Sequence, residues 1–201
     1  MIPKEKKQIL ELDHYLNEFT AIKNQALSFT NELTEAQFFW KPKPDKWSVG
    51  ECISHLNVTG SQLLPRLRKA IDAGHKKGIV ATPPFRYGMI SRWFIRANDA
   101  TSRFKMKSPK IYRPVSNESL EKSTVVSEFA ELQDAFRVLT TNANGLDLNR
   151  IKVASPVSSL LRISLGAWLA ATIAHEKRHL AQARRVTVTA GFPASNTDDR
   201  N

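Results

Sequence analysis

A single cysteine, Cys52, serves the whole chain. It excludes an internal disulfide framework and fits a reducing cytoplasm. No apolar run reaches the ~18 residues that a membrane helix needs. The opening MIPKEKKQILELDHYL alternates charge with apolar residues and lacks the apolar stretch of a signal peptide. The expected location is therefore cytoplasmic, with no membrane partner. Acidic residues are scarce: 19 Asp and Glu face 30 Lys and Arg, a net charge of +11. That excess favours an anionic partner: nucleic acid, acidic lipid, or a small carboxylate or phosphate ligand. No internal repeat, low-complexity tract or convincing pair of strands is visible.

What is present is helical periodicity. The 201 residues suit one domain, here residues 1–190 followed by a polar tail, 191–201. At 41% hydrophobic the chain is long and apolar enough to bury a core. Ile9, Leu12, Leu16, Phe19, Ile22 and Ala26 make one apolar stripe on a helix over 5–31. Thr34 and Gln37 form a capping box on a short turn, and Ser48 with Glu51 forms another. The second opens a helix expected to run to about Ala73, with Pro65 inside it. Val125, Phe129, Leu132, Phe136 and Leu139 step as a bundle seam within a helix over 118–141. Asn144-Gly145 ends that helix, and Leu146 to Ile163 reads as a connector. Ser164 opens the last helix, free of Gly and Pro after Gly166 as far as Ala190. The fold class is all-α, a four-helix bundle. Residues 79–117 read as an inserted helical and irregular segment between the second and third long helices. Thr82-Pro83 opens its helix, whose apolar face is Phe85, Met89, Ile90, Trp93 and Phe94.

Histidines carry the chemistry. His175 and His179 stand four residues apart on the last helix and share a face. Such a pair can grip one metal ion, or can share a face by chance. His55 lies two turns into the second long helix. Alone it reads as a satisfied core residue. Bundle metal sites take inward side chains from facing helices, so His55, His175 and His179 together make a three-histidine site. A three-ligand site leaves a position for water or substrate. His14 falls off the first stripe, and His75 reads as a loop residue between Gly74 and Gly78. His175-Glu176-Lys-Arg-His179 also matches the zinc-protease signature. Against that reading, no His or Glu follows His179 to supply a third ligand. Glu176 is a candidate catalytic residue, either as a base or as a group that steadies a ligand, or its place in the motif is chance. Trp168, Thr172 and Gln182 share the histidine face, either as core and hydrogen-bonding residues or as pocket walls. Cys52, one turn before His55, fits a buried thiol better than a fourth ligand.

Two stretches resemble a known family. Trp47-Ser48-x-x-Glu51-x-x-x-His55-Leu56 resembles the second-helix signature of the DinB/YfiT-like metalloenzymes. His175-x-x-Arg178-His179-x-x-Gln182 resembles their last-helix signature. The resemblance implies a four-helix bundle, often a homodimer, with a divalent metal such as zinc or nickel on His55, His175 and His179. Trp168, Arg178 and Gln182 are the candidate cofactor contacts. Some members resemble thiol transferases that use bacillithiol, mycothiol or glutathione, and others metal-dependent hydrolases. The expected function is thus a metal-dependent thiol transferase acting on a small molecule, with a metal-dependent hydrolase and a non-enzymatic basic binding module as the alternatives. A nucleic-acid module is the weakest of these, because Lys and Arg are spread along the chain without a recognised motif. Its best surface would be Arg92 to Arg113.

Overall fold

A computed structural model of the chain describes residues 4–81, 87–98, 110–114, 120–156 and 158–194. Helix α1 spans Lys4–Asn31, α2 Glu35–Phe39, α3 Val49–Lys76, α4 Met89–Asn98, α5 Lys122–Asn142 and α6 Leu165–Thr187. Strands β1 (Lys152–Ser155) and β2 (Ser158–Ser164) pair antiparallel between α5 and α6. Helices α1, α5, α3 and α6 pack in that order around the core, and α6 closes the ring against α1. Among the described residues the bundle is all-α apart from this hairpin and an isolated bridge between Val80 and Leu146. No described helix is long and apolar enough to cross a membrane.

The seam residues fill the core. Phe19 of α1 stacks on Phe136 of α5 with ring centroids 5.1 Å apart, and both are fully buried. Val125, Phe129, Leu132 and Leu139 complete the α5 face. On α1 the buried apolar set among the described side chains is Leu12, Tyr15, Phe19, Ile22 and Ala26, with Leu16 only half-buried. Gly60 lets α3 approach α5: a Cβ there would stand 2.4 Å from Leu132. Both capping boxes form, Thr34 with Gln37 and Ser48 with Glu51. Gly145, at φ +80°, takes the left-handed turn that ends the α5 segment.

Several expectations are corrected. The connector holds a hairpin, and β1 buries Val153 and Ser155 on alternate positions. Helix α3 holds Pro65 inside it, as expected, and runs past Ala73 to Lys76. His75 therefore lies in its last turn, exposed, with Nε2 2.8 Å from the Asn142 carbonyl. Gly74 is buried, not a surface stop. The inserted helix begins at Met89, and of its apolar residues Phe94 is half-buried while Met89, Ile90 and Trp93 are exposed. Thr82-Pro83, Phe85, Glu118 and the end of the tail from 195 lie outside the described residues. Helix α5 starts at Lys122, with Glu121 as its N-cap.

The insertion is bonded to the bundle at its entry. Tyr87 Oη donates to Glu11 of α1 and lies 3.1 Å from Tyr15 Oη. Tyr15 in turn donates to Glu11 and to the Gly166 carbonyl at the start of α6.

Candidate metal centre

Three helical positions on two neighbouring helices converge. His55 comes from α3, and His175 and His179 from successive turns of α6. Their potential ligand atoms all lie within 4.8 Å of one another. Ring centroids are 5.2 Å apart for His55–His175 and 4.6 Å for each of the other two pairs. His55 Nε2 stands 3.3 Å from His175 Nε2. Two nitrogens held at ~2.0–2.1 Å by one tetrahedral ion would stand about 3.3–3.4 Å apart. The donor set therefore fits a small divalent cation in chemistry and in this spacing.

The surroundings fix the rings in ligand form. His55 Nδ1 lies 2.5 Å from the Tyr112 carbonyl, which can only accept, so Nδ1 carries the proton and Nε2 keeps its lone pair. Tyr112 belongs to a short 3-10 turn, Lys110–Tyr112, in the insertion. Gln62 of α3 secures that turn by donating to the Ile111 carbonyl at 2.9 Å. Trp47, just ahead of α3, packs its ring on His55 and His179 at centroid distances of 4.9 and 5.7 Å. Burial pushes His175 down to about 3, aided by His55 and Arg178 nearby. Burial pushes His179 down to about 2, aided by His175, His55 and Arg178 and opposed by Gln182. Burial lowers His55 as well, and its bond to Tyr112 partly opposes this. All three imidazoles are neutral at pH 7, as metal ligands must be. His179 Nδ1 is buried with no hydrogen-bond partner among the described residues.

The trio opens into a cavity of about 580 Å³. Its apolar wall includes Leu63, Trp93, Phe94, Leu161 and Trp168. Trp168 also has a structural part: it meets Phe94 edge-on at 4.8 Å, and its Nε1–H donates to the Val153 carbonyl. Arg178 and Gln182 line the same cavity, as do Lys46 and Thr172. Arg178 donates to the Ala97 carbonyl at the end of α4, 3.2 Å away. Glu176 lines it too, but its Oε1 accepts from Gln133 of α5 at 2.9 Å, while Oε2 is buried without a partner among the described residues. Burial raises Glu176 to about 8, partly offset by Gln133. Cys52 stands outside the ligand cluster, buried, with burial pushing its thiol up to about 12. Glu51 is occupied by the Ser48 cap and by Lys41 at 2.9 Å. His14 is exposed on α1, apart from the trio.

Sequence reasoning found the three histidines and missed the Tyr112 carbonyl, which any residue could supply and which no side-chain pattern marks. It also passed over Trp47 as a wall, although Trp47 heads the same motif as His55. No curated protein and no solved structure matches the chain. The family model of the DinB superfamily matches residues 18–183, which takes in both histidine helices and the insertion between them. With that match over most of its length, the chain belongs to the DinB superfamily.

Proposed function

We propose that the chain is a metal-dependent enzyme that joins a small thiol to an apolar electrophile, with His55, His175 and His179 holding one divalent ion, zinc or nickel. The observation that carries this reading is the meeting of three neutral imidazoles at the wall of a largely apolar cavity. When bound, the ion supplies positive charge that lowers the pKa of a thiol or water beside it. The residues of the chain do the rest. The Tyr112 carbonyl holds His55 in the tautomer that directs Nε2 inward. Leu63, Phe94 and Trp168 exclude water and offer apolar surface to the electrophile. Arg178 brings positive charge to the cavity, suited to a carboxylate of an acidic thiol, while Lys46 at the same wall is paired with Asp45 at 3.1 Å. The thiol proton leaves to solvent, sulfur bonds to carbon, and the leaving group departs with the bonding pair.

One observation favours a second reading, hydrolysis. Glu176 offers the cavity a carboxyl whose Oε2 has no partner among the described residues, a group that could pass a proton to or from water. A single set of measurements separates these readings. The purified protein should carry one equivalent of divalent metal by mass spectrometry. His55→Ala, His175→Ala and His179→Ala should each lose most of it, while His14→Ala and His75→Ala keep it. Turnover of an aryl halide only with added low-molecular-weight thiol supports transfer. Ester turnover without thiol, abolished by Glu176→Gln, supports hydrolysis. Metal content unchanged in the triple alanine variant would refute both.

A further inference from the structure

We propose that the outer face of α4 docks on an anionic lipid surface. The helix has two unlike sides. Phe94 and Ile95 are partly buried and Ser91 fully, against the bundle and the hairpin. The other side leaves Met89, Ile90 and Trp93 exposed at 78, 65 and 55%. Arg92 and Arg96, one turn apart, run along that ridge and are exposed. No ion pair among the described residues engages either of them. The helix contains no acidic residue. An exposed apolar ridge with a tryptophan and flanking arginines is the pattern of a helix that lies in a membrane interface.

Charge selects the occupant. The chain carries +11, and an anionic leaflet attracts basic groups near its surface. A second copy of the chain fits less well: a two-fold contact through α4 would set Arg92 and Arg96 against their own mates, with no acid on the helix to pair them. Nucleic acid would use the arginines and leave the apolar ridge in water. Lipid uses both. Trp93 also lines the cavity, so docking would bring one cavity wall to the interface. This surface stands on its own observations and does not depend on the metal or on the reaction.

The test is vesicle co-sedimentation. Wild-type protein should bind vesicles of phosphatidylcholine with about one-third phosphatidylglycerol, and bind pure phosphatidylcholine at least about tenfold more weakly. Arg92→Gln with Arg96→Gln should weaken binding to the mixed vesicles about twenty-five-fold, at about fivefold per charge. Met89→Ser with Ile90→Ser should weaken it by at least about tenfold, since each loses an apolar side chain from the ridge. These side chains are exposed, so helix content by circular dichroism should be unchanged. Trp93 should report the contact by a blue-shifted emission that Trp93→Phe removes. Failure of the wild type to bind the mixed vesicles overturns the proposal. So does undiminished binding by Met89→Ser with Ile90→Ser. A dimer in sedimentation that this same pair dissolves, without vesicle binding, would make a second copy the occupant and overturn it too.

Discussion

Replacing His175 and His179 together by Gln should remove most of the acid sensitivity that the site imposes on the metal-free protein. In the unfolded chain an imidazole titrates near 6.5. In the fold, burial holds His175 at about 3 and His179 at about 2. A depressed value of this kind gives stability that is present above 6.5 and lost as pH falls toward the folded value. Both rings retain some solvent access through the cavity. The calculation needs only that they remain neutral at pH 5. Each then costs about 2 kcal/mol between pH 7 and pH 5, together about 4 kcal/mol. Glu176 acts the other way. Its carboxyl is raised to about 8, so its penalty at pH 7 is relieved on going to pH 5, by about 2.5 kcal/mol. The wild type therefore shows only the difference, and comparison with the variant isolates the histidines. The assay is urea unfolding in chelator at pH 7 and pH 5, followed by tryptophan fluorescence. The wild type should lose about 4 kcal/mol more than His175→Gln with His179→Gln over this interval. Equal pH dependence in the two proteins would refute the desolvated, neutral state of the site.

Other outcomes follow from the packing. Gly166→Ala places a Cβ 2.0 Å from Tyr87 Oη. Tyr87 must then leave Glu11 and Tyr15, which should cost about 1–3 kcal/mol by urea unfolding and speed proteolysis ahead of α4. Cys52 is fully buried with its thiol pushed up to about 12, so Ellman's reagent at pH 8 should label it only after denaturation. Phe136→Ala empties the centre of the α1–α5 contact and should lower stability by about 3–5 kcal/mol, read from the urea midpoint.

Local rules made the bundle and the trio legible. A capping box needs residues three apart, and a shared helix face needs residues four apart, so Ser48, Glu51, His175 and His179 declare themselves within one turn. Joining His55 to the other two required only that the two helices face each other in a bundle. The hairpin was hidden because β1 has four residues and alternates weakly, with Ser155 at a buried position where an apolar residue would mark a strand. Leu160 on β2 faces out, which spoils the pattern further. Helix α4 was visible as a periodic segment, but periodicity alone could not tell which of its apolar residues turn inward. That choice is made by Trp168, which receives Phe94, and nothing near α4 in sequence announces it.

The bundle alone accounts for the three histidines, yet the insertion determines the environment in which they sit. Its described parts meet the bundle through polar bonds at several places, three of which bear on the site and its approach. Tyr87 bonds to α1, the Ala97 carbonyl accepts from Arg178 of α6, and the Tyr112 carbonyl accepts from His55 of α3. Phe94 adds an apolar contact on Trp168. Two of these bonds reach residues of the histidine motifs, His55 and Arg178, so the inserted segment orients one proposed ligand and anchors the arginine that helps keep the other two imidazoles neutral. Trp93, Phe94 and Tyr112 also line the cavity. The shape that a substrate must match is therefore written partly in a segment whose contacts are long-range in sequence. The chemistry of the histidines and the selectivity of the cavity thus have separate structural sources, and a change in α4 can alter what enters while leaving the three ring nitrogens where they are.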